Sequence, residues 1–269
     1  MLKNTFLALI LCLTGFAATA QVNTFQNGPV LDFNLALGFP AGEYSDATND
    51  FGLGLNAALL FPVSKKVPIL KAGVDFTALW TAWDTERIRE QIEVTLNGQV
   101  IDIIDLPMRV QTTNTILGGG AVLRVNAPVS SRIEPYVQGL VGFRRFATTI
   151  RVYDESDEGF FDADDNGLIT TSTPLQDWIF SYGAGAGFQI KLNRQVFLHL
   201  GANYLLGGEA DYYTKEDVKN FQFSFSGSGS ATPGGLDPDD LDLDSRPSRS
   251  RTNMIQANIG VTVLIDDLD

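Results

Sequence analysis

The sequence predicts an all-β fold, an eight-stranded antiparallel up-and-down barrel whose strands span a bilayer. Three observations predict it. Long segments alternate strictly between apolar and small or polar residues. The connections between them alternate between short and long. After residue 20 no run of eighteen or more apolar residues exists to make a membrane helix. Side chains on a strand point to opposite faces in turn. A segment of about ten alternating residues with one fully apolar face is what a tilted strand needs to cross lipid.

Residues 178–208 carry the clearest pattern. Trp178, Phe180, Tyr182, Ala184, Ala186, Phe188, Ile190 and Leu192 share one face, and Ser181, Gly183, Gly185, Gly187, Gln189 and Lys191 the other. After the short turn Asn193-Arg194-Gln195, Val196, Leu198, Leu200, Ala202, Tyr204 and Leu206 alternate with His199, Gly201 and Asn203. These are the sixth and seventh strands.

The others follow the same rule. The first, residues 29–39, sets Leu31, Phe33, Leu35, Leu37 and Phe39 against Asp32, Asn34 and Gly38. The second, 51–61, sets Leu53, Leu55, Leu59 and Phe61 against Gly52, Gly54 and Asn56. The third, 69–80, sets Val74, Phe76, Ala78 and Trp80 against Lys71, Asp75 and Thr77. The fourth, 110–125, sets Leu117, Ala121 and Leu123 against Asn114, Gly118, Gly120 and Arg124. The fifth, 133–152, sets Val137, Val141 and Phe143 against Glu134, Gln138 and Arg144. The eighth, 251–265, sets Ile255, Ile259, Val261 and Val263 against Gln256, Asn258 and Thr262.

Residues 63–68, 126–132 and 193–195 are short turns, whereas 40–50, 82–107, 154–177 and 207–250 are long loops. Short turns at one end and long loops at the other are the habit of outer-membrane barrels. With an even strand count, both termini stand at the short-turn end, in the periplasm, and the long loops face outward. Within 92–103, Asn97-Gly98 between two alternating runs is a hairpin signal, so this loop extends the wall beyond the membrane. Phe221-Gln222-Phe223-Ser224-Phe225 reads as a further strand extension. Residues 226–244 are rich in glycine, serine, proline and aspartate, with little to bury, and read as mobile.

Residues 1–20 read as a secretory signal peptide. Lys3 gives the positive start, 5–16 the apolar centre and Ala18-Thr19-Ala20 the cleavage site. The mature barrel domain is then 21–269. Cys12 follows residues too bulky for a lipidation site, and removing the signal leaves no cysteine for disulfides, thiol catalysis or metal binding. The net charge of -13 makes a poor nucleic-acid binder.

The signal peptide, the eight alternating strands and the loop asymmetry resemble the OmpA-type, porin-like superfamily of eight-stranded outer-membrane barrels. Two stretches add to this. Glu134-Pro135-Tyr136-Val137-Gln138-Gly139-Leu140-Val141-Gly142-Phe143 resembles a strand of these domains, and residues 205–212 resemble the strand end leading into their last loop. The resemblance implies a monomer in the outer membrane of a Gram-negative bacterium. It also implies outer-membrane lipid and lipopolysaccharide as surroundings and the barrel-assembly machinery as a partner in biogenesis. One departure is the end of the last strand, Ile265 followed by Asp266-Asp267-Leu268-Asp269, where many members end on an aromatic residue.

The sharpest local motif is Asp162-Ala163-Asp164-Asp165-Asn166-Gly167-Leu168, the first half of a calcium loop. Asp162, Asp164 and Asn166 offer side-chain oxygens and Leu168 a backbone carbonyl, the oxygen-rich shell that calcium takes. Thr173 stands where a glutamate would close the shell, so another carboxylate such as Asp157, Glu158 or Asp177 would be needed. An acidic turn is the plainer reading. The run Asp237, Asp239, Asp240, Asp242 and Asp244 has no glycine to fix a turn and reads as a solvated segment.

An eight-stranded barrel fills its interior with side chains. Asp32, Asp75, Arg124, Glu134, Arg144, Lys191 and His199 are the expected inward charges, read as a salt-bridged plug or as a narrow gated pore. Inward glycines make room for large side chains opposite. Phe39, Phe61, Trp80, Trp83, Trp178, Tyr204, Tyr212 and Tyr213 suit interfacial girdles. His199 has no serine placed beside it, so no hydrolytic pair is expected. The expected protein is non-enzymatic. It displays acidic, calcium-dressed loops for structure or surface recognition, with a pore for small solutes as the alternative. A soluble carrier barrel would need the opposite pattern, apolar inside and polar outside.

Overall fold

The computed structural model describes residues 28–64, 66–96, 99–127, 129–130, 132–155, 167–214, 216–217, 222–225, 241–244 and 246–265. Eight strands close into a ring. They are β1 (Val30–Pro40), β2 (Gly52–Ser64), β3 (Val67–Leu96), β4 (Gln99–Asn126), β5 (Ile133–Asp154), β6 (Leu168–Lys191), β7 (Val196–Gly207) and β12 (Met254–Leu264). A short helix, α1 (Glu43–Ala47), lies between β1 and β2. The strands β8 (Glu209–Tyr212), β9 (Gln222–Phe225), β10 (Leu241–Asp244) and β11 (Ser248–Arg251) lie between β7 and β12.

Each of the eight pairs antiparallel with its sequence neighbour, and β12 closes the ring on β1 from Val30↔Leu264 to Pro40↔Met254. Within the closed ring each strand is paired on both sides, which a lipid-facing sheet requires. The start of β1, Val30, and the end of β12, Leu264, stand side by side at the short-turn end. Among the described residues no helix is long and apolar enough to cross a membrane.

The predicted faces hold in all eight strands. Asp32, Asn34, Ala36 and Gly38 are buried in β1, whereas Leu31, Phe33, Leu35 and Phe39 are exposed. Phe76, Leu123, Phe143, Phe180 and Ile259 continue the exposed apolar belt around the ring. Burying such a belt in hydrocarbon contributes about 25 cal/mol per Å² of apolar surface.

The wall is lopsided. Strands β1, β2, β7 and β12 have 11 to 13 residues, whereas β3 to β6 have 22 to 30. Pairing of β2 with β3 ends at Gly52↔Thr81, yet β3 and β4 stay paired to Leu96↔Gln99. That hairpin runs roughly 50 Å past the end of β2, at about 3.3 Å per residue. Residues 82–96, 99–107 and 168–177 therefore contribute ladder where the sequence suggested loops. Asn97-Gly98 itself lies outside the described residues, but the ladder flanking it is the expected hairpin.

Two further expectations are corrected. Tyr212 and Tyr213 are buried, not placed in a girdle, because the strand breaks at Gly208 and β8 turns across the mouth. Gly208 N–H donates to the Phe180 carbonyl there (3.1 Å). Residues 241–244 form β10 against β9, since Leu241 and Leu243 alternate with Asp242 and Asp244. Phe39, Phe61, Trp80, Trp178 and Tyr204 do face outward.

Glycine sets how close β4 and β5 stand. Gly120 and Gly142 are register partners, and a Cβ on either would collide with the other strand's backbone. Gly139, three residues earlier on the outer face, has nothing within 4 Å of a Cβ. Gly142→Ala is expected to cost about 1–3 kcal/mol through overpacking. Gly139→Ala should stay within about 0.5 kcal/mol of the parent. Urea unfolding of vesicle-refolded protein measures both.

Candidate functional site

The inner face of each strand projects into the lumen at alternate residues, and polar side chains hold most of those positions in the short-turn half. Their centre is Asp32. Its carboxylate takes Arg124 Nη2 at 2.7 Å, across the lumen from β1 to β4. Thr262 Oγ1 donates to the other oxygen at 2.5 Å, and His199 Nδ1 stands 3.7 Å away. All four residues are almost wholly buried.

From this centre the bonds spread around the ring. Arg124 Nε donates to Gln138 (2.9 Å), and Gln138 Nε2 donates to Asn203 on β7 (2.8 Å). The Arg124 guanidinium lies 4.4 Å over the Tyr136 ring. The Tyr136 hydroxyl meets His199 Nε2 at 2.5 Å. Gln189 on β6 donates to Thr262 (2.8 Å). On the other side Asn34 donates to Asn56 (3.0 Å), and Asn56 donates to Asp75 (2.7 Å) and Thr77 (2.9 Å). Lys71 and Glu134 supply a second pair of opposite charges that attract each other. Side chains from all eight ring strands take part.

The long-loop half is apolar. Ala36, Leu79, Ile116, Phe146, Ile179, Leu205 and Met254 pack together, joined by Tyr44 from α1 and Ala210 and Tyr212 from β8. The Tyr44 ring meets Tyr212 edge-on at 5.0 Å and Phe146 at 6.1 Å. Burial, and then the adjacent Tyr212, hold the Tyr44 phenol above its ordinary range. Gly42 turns the chain into α1 at φ 61, and Ala41 N–H donates to Asn253 (2.9 Å), tying the helix to the rim. Phenol, phenyl and aliphatic groups thus cap the polar network.

Inward glycines admit the large groups. A Cβ at Gly187 or Gly201 would strike the Tyr136 hydroxyl, and one at Gly185 would strike the Asn203 amide. The expected plug therefore forms around Asp32, Arg124 and His199, with Asp75, Glu134 and Lys71 within the same lumen. Lys191 is half-buried at the short-turn end of β6. Arg144 stands apart, near Phe146 and Thr252. His199 lies between an acid and a phenol, and among the described residues no serine bonds it.

The calcium motif falls largely outside the described residues, which exclude Asp162, Asp164 and Asn166. Leu168 opens β6 opposite Tyr153, and Gly167 before it has φ 73. The Asp177 carboxylate accepts the backbone N–H groups of Trp178 (2.8 Å) and Asp211 (3.1 Å). Among the described residues no group of three acidic, histidine or cysteine side chains is placed to hold a metal.

Gln189 and Thr262 stand on the inward faces that the sequence pattern gave them. Tyr136 was missed, although it lies on the inward parity of its strand and counting by two from Glu134 finds it. Tyr44 comes from a loop helix, where no periodicity points inward.

This filled, apolar-jacketed ring defines an outer-membrane barrel. The chain belongs to the outer membrane protein β-barrel domain family, whose model matches residues 8–230. The closing strand β12 lies beyond that match. Among solved structures, the chain is similar to Neisserial surface protein A at 10% identity and TM-score 0.36, covering 88% of this chain and 96% of that one. It is also similar to Ail, the attachment invasion locus protein of Yersinia pestis, at 12% identity and TM-score 0.28, covering 87% and 96%. A third is the CymD monoaromatic hydrocarbon channel, at 9% identity and TM-score 0.25, covering 89% of each chain. No curated protein matches the chain. The family assignment rests on the family model.

Removing one partner of a buried pair leaves the other charge uncompensated, at a cost of about 3–5 kcal/mol. Arg124→Met is expected to lose that much. Asp32→Leu combined with Arg124→Met should recover part of the loss, so the two effects are not additive. A double-mutant cycle by urea unfolding measures the coupling.

Proposed function

We propose that this protein is a non-enzymatic barrel of the outer membrane, closed along its axis, that works through its exterior rather than its lumen. The observation that carries this reading is the filled lumen. A bonded polar network crosses the short-turn half, and the Tyr44–Tyr212–Phe146 cluster covers the other. The lopsided wall supports it. Strands β3 to β6 carry the sheet far past the short strands, with Arg87 and Arg109 paired to Glu155 on its exposed part (2.9 and 3.4 Å).

In this reading both termini face the periplasm and the tall hairpins face outward, among lipopolysaccharide and surface partners. The barrel works as a monomer after insertion by the assembly machinery. The 162–168 loop joins the recognition surface by taking up calcium through Asp162, Asp164, Asn166 and the Leu168 carbonyl. Those groups match the oxygen chemistry of that ion. The acidic composition of the outer loops suits a cation-bridged contact better than a nucleic acid.

Planar-bilayer recording of the refolded protein tests closure. No steady openings are expected. Regular openings would favour the pore for small solutes instead. Calorimetric titration with calcium tests the loop. Saturable heat is expected, weak in the range of about 10⁻⁴–10⁻³ M typical of extracellular modules, and absent in Asp164→Ala. Heat unaffected by that substitution would reduce the motif to an acidic turn.

A further inference from the structure

A cavity of about 40 Å³ lies inside the barrel where the polar half meets the apolar half. Asp75, Thr77, Gly118, Gly120, Arg144 and Ser181 contribute to its walls. Gly118 on β4 leaves space there, since its Cβ would stand against Arg144 Cγ and Thr77 Cβ.

Arg144 is the unusual group. It is 4% exposed. Nη2 donates to the Thr252 carbonyl (2.8 Å), but Nε and Nη1 have no hydrogen-bond partner. Arg124, by contrast, is paired with Asp32 in direct contact. Asp75 lies on the same cavity but does not neutralise Arg144. Beside the Thr252 carbonyl, Arg144 has the Phe146 ring 5.8 Å away, which supplies no counter-charge. Asp75 is satisfied by Asn56 instead (2.7 Å).

A guanidinium away from water needs both hydrogen-bond acceptors and a counter-charge. Water supplies the first alone, whereas a small anion supplies both. A water needs about 10–15 Å³ of such volume, so the cavity has room for one monatomic anion with water beside it. We propose that the cavity beside Arg144 is a binding site for a small monovalent anion of halide size, received on Nε and Nη1. This site is independent of the surface role proposed above, because it concerns the interior. It fixes the charge balance of the lumen at the level where the polar network ends.

The test is thermal unfolding of the detergent-refolded chain in sodium chloride against sodium gluconate at equal ionic strength. Gluconate is too large for the cavity. Chloride is expected to raise the melting temperature saturably, on the order of 3 °C at tenfold excess over the dissociation constant. Arg144→Gln should abolish the difference. Gly118→Ala keeps Arg144 and narrows the cavity. Its Cβ would stand 3.4 Å from Arg144 Cγ and 3.8 Å from Thr77 Cβ, close but tolerable contacts. It should fold and need several-fold more chloride for the same rise. Bromide-soaked crystals should show an anomalous peak beside Nε and Nη1. Equal melting in both salts, an unchanged chloride response in Gly118→Ala, or crystals with water alone beside Arg144 would overturn the proposal.

Discussion

Hydrocarbon offers no hydrogen bonds to a peptide backbone, and the whole design follows from that constraint. Strands can cross lipid only as a ring, and here the ring closes through the pairing of β1 with β12. Once closed, each strand has one face toward lipid and one toward the lumen. The lipid face must be apolar, which Phe33, Phe76, Phe143 and Phe180 satisfy. Polar residues can then go only inward. An interior this narrow excludes bulk water, so they must satisfy one another.

The two halves of the lumen meet that demand differently. Near the short turns, charges and amides from every strand bond across the ring, with Arg124 and Asp32 joining strands that are not neighbours. Near the long loops, aromatic and aliphatic groups pack as they would in a soluble core. Small residues set the terms of both. Without Gly187 and Gly201 the Tyr136 hydroxyl could not reach His199, and without Gly120 and Gly142 strands β4 and β5 could not approach. The long-strand side of the wall, from β3 to β6, is left to project beyond the lipid, where recognition would take place.

Much of this was legible in the sequence because period two is a direct imprint of a two-sided wall. The inward placement of Asp32, Arg124, Glu134 and His199 and the outward placement of Trp80 and Trp178 follow from counting alone. Strand length was less legible. Beyond the membrane the two-sided pressure relaxes, so residues 82–96 and 168–177 lose the clean apolar face while keeping their ladder. Tyr212 and Tyr213 misled because an aromatic residue near a strand end suits a girdle as well as a plug. The break at Gly208, which decides between them, is a tertiary event. The partners of each luminal charge were not legible either. Register across a ring sets them, and one strand seen alone does not reveal which neighbour lies opposite. The calcium motif depends on residues beyond those described.

The most direct test of the sealed, inside-polar barrel uses its lack of cysteine after residue 20. Single cysteines at Thr77, on the luminal wall, and at Val129, in an exposed short turn, would be exposed to a water-soluble maleimide in refolded vesicles with both faces accessible. The account predicts that Val129→Cys labels promptly and Thr77→Cys does not until the protein is unfolded. Equal labelling at the two positions in the folded barrel would contradict it and make the lumen an open aqueous path.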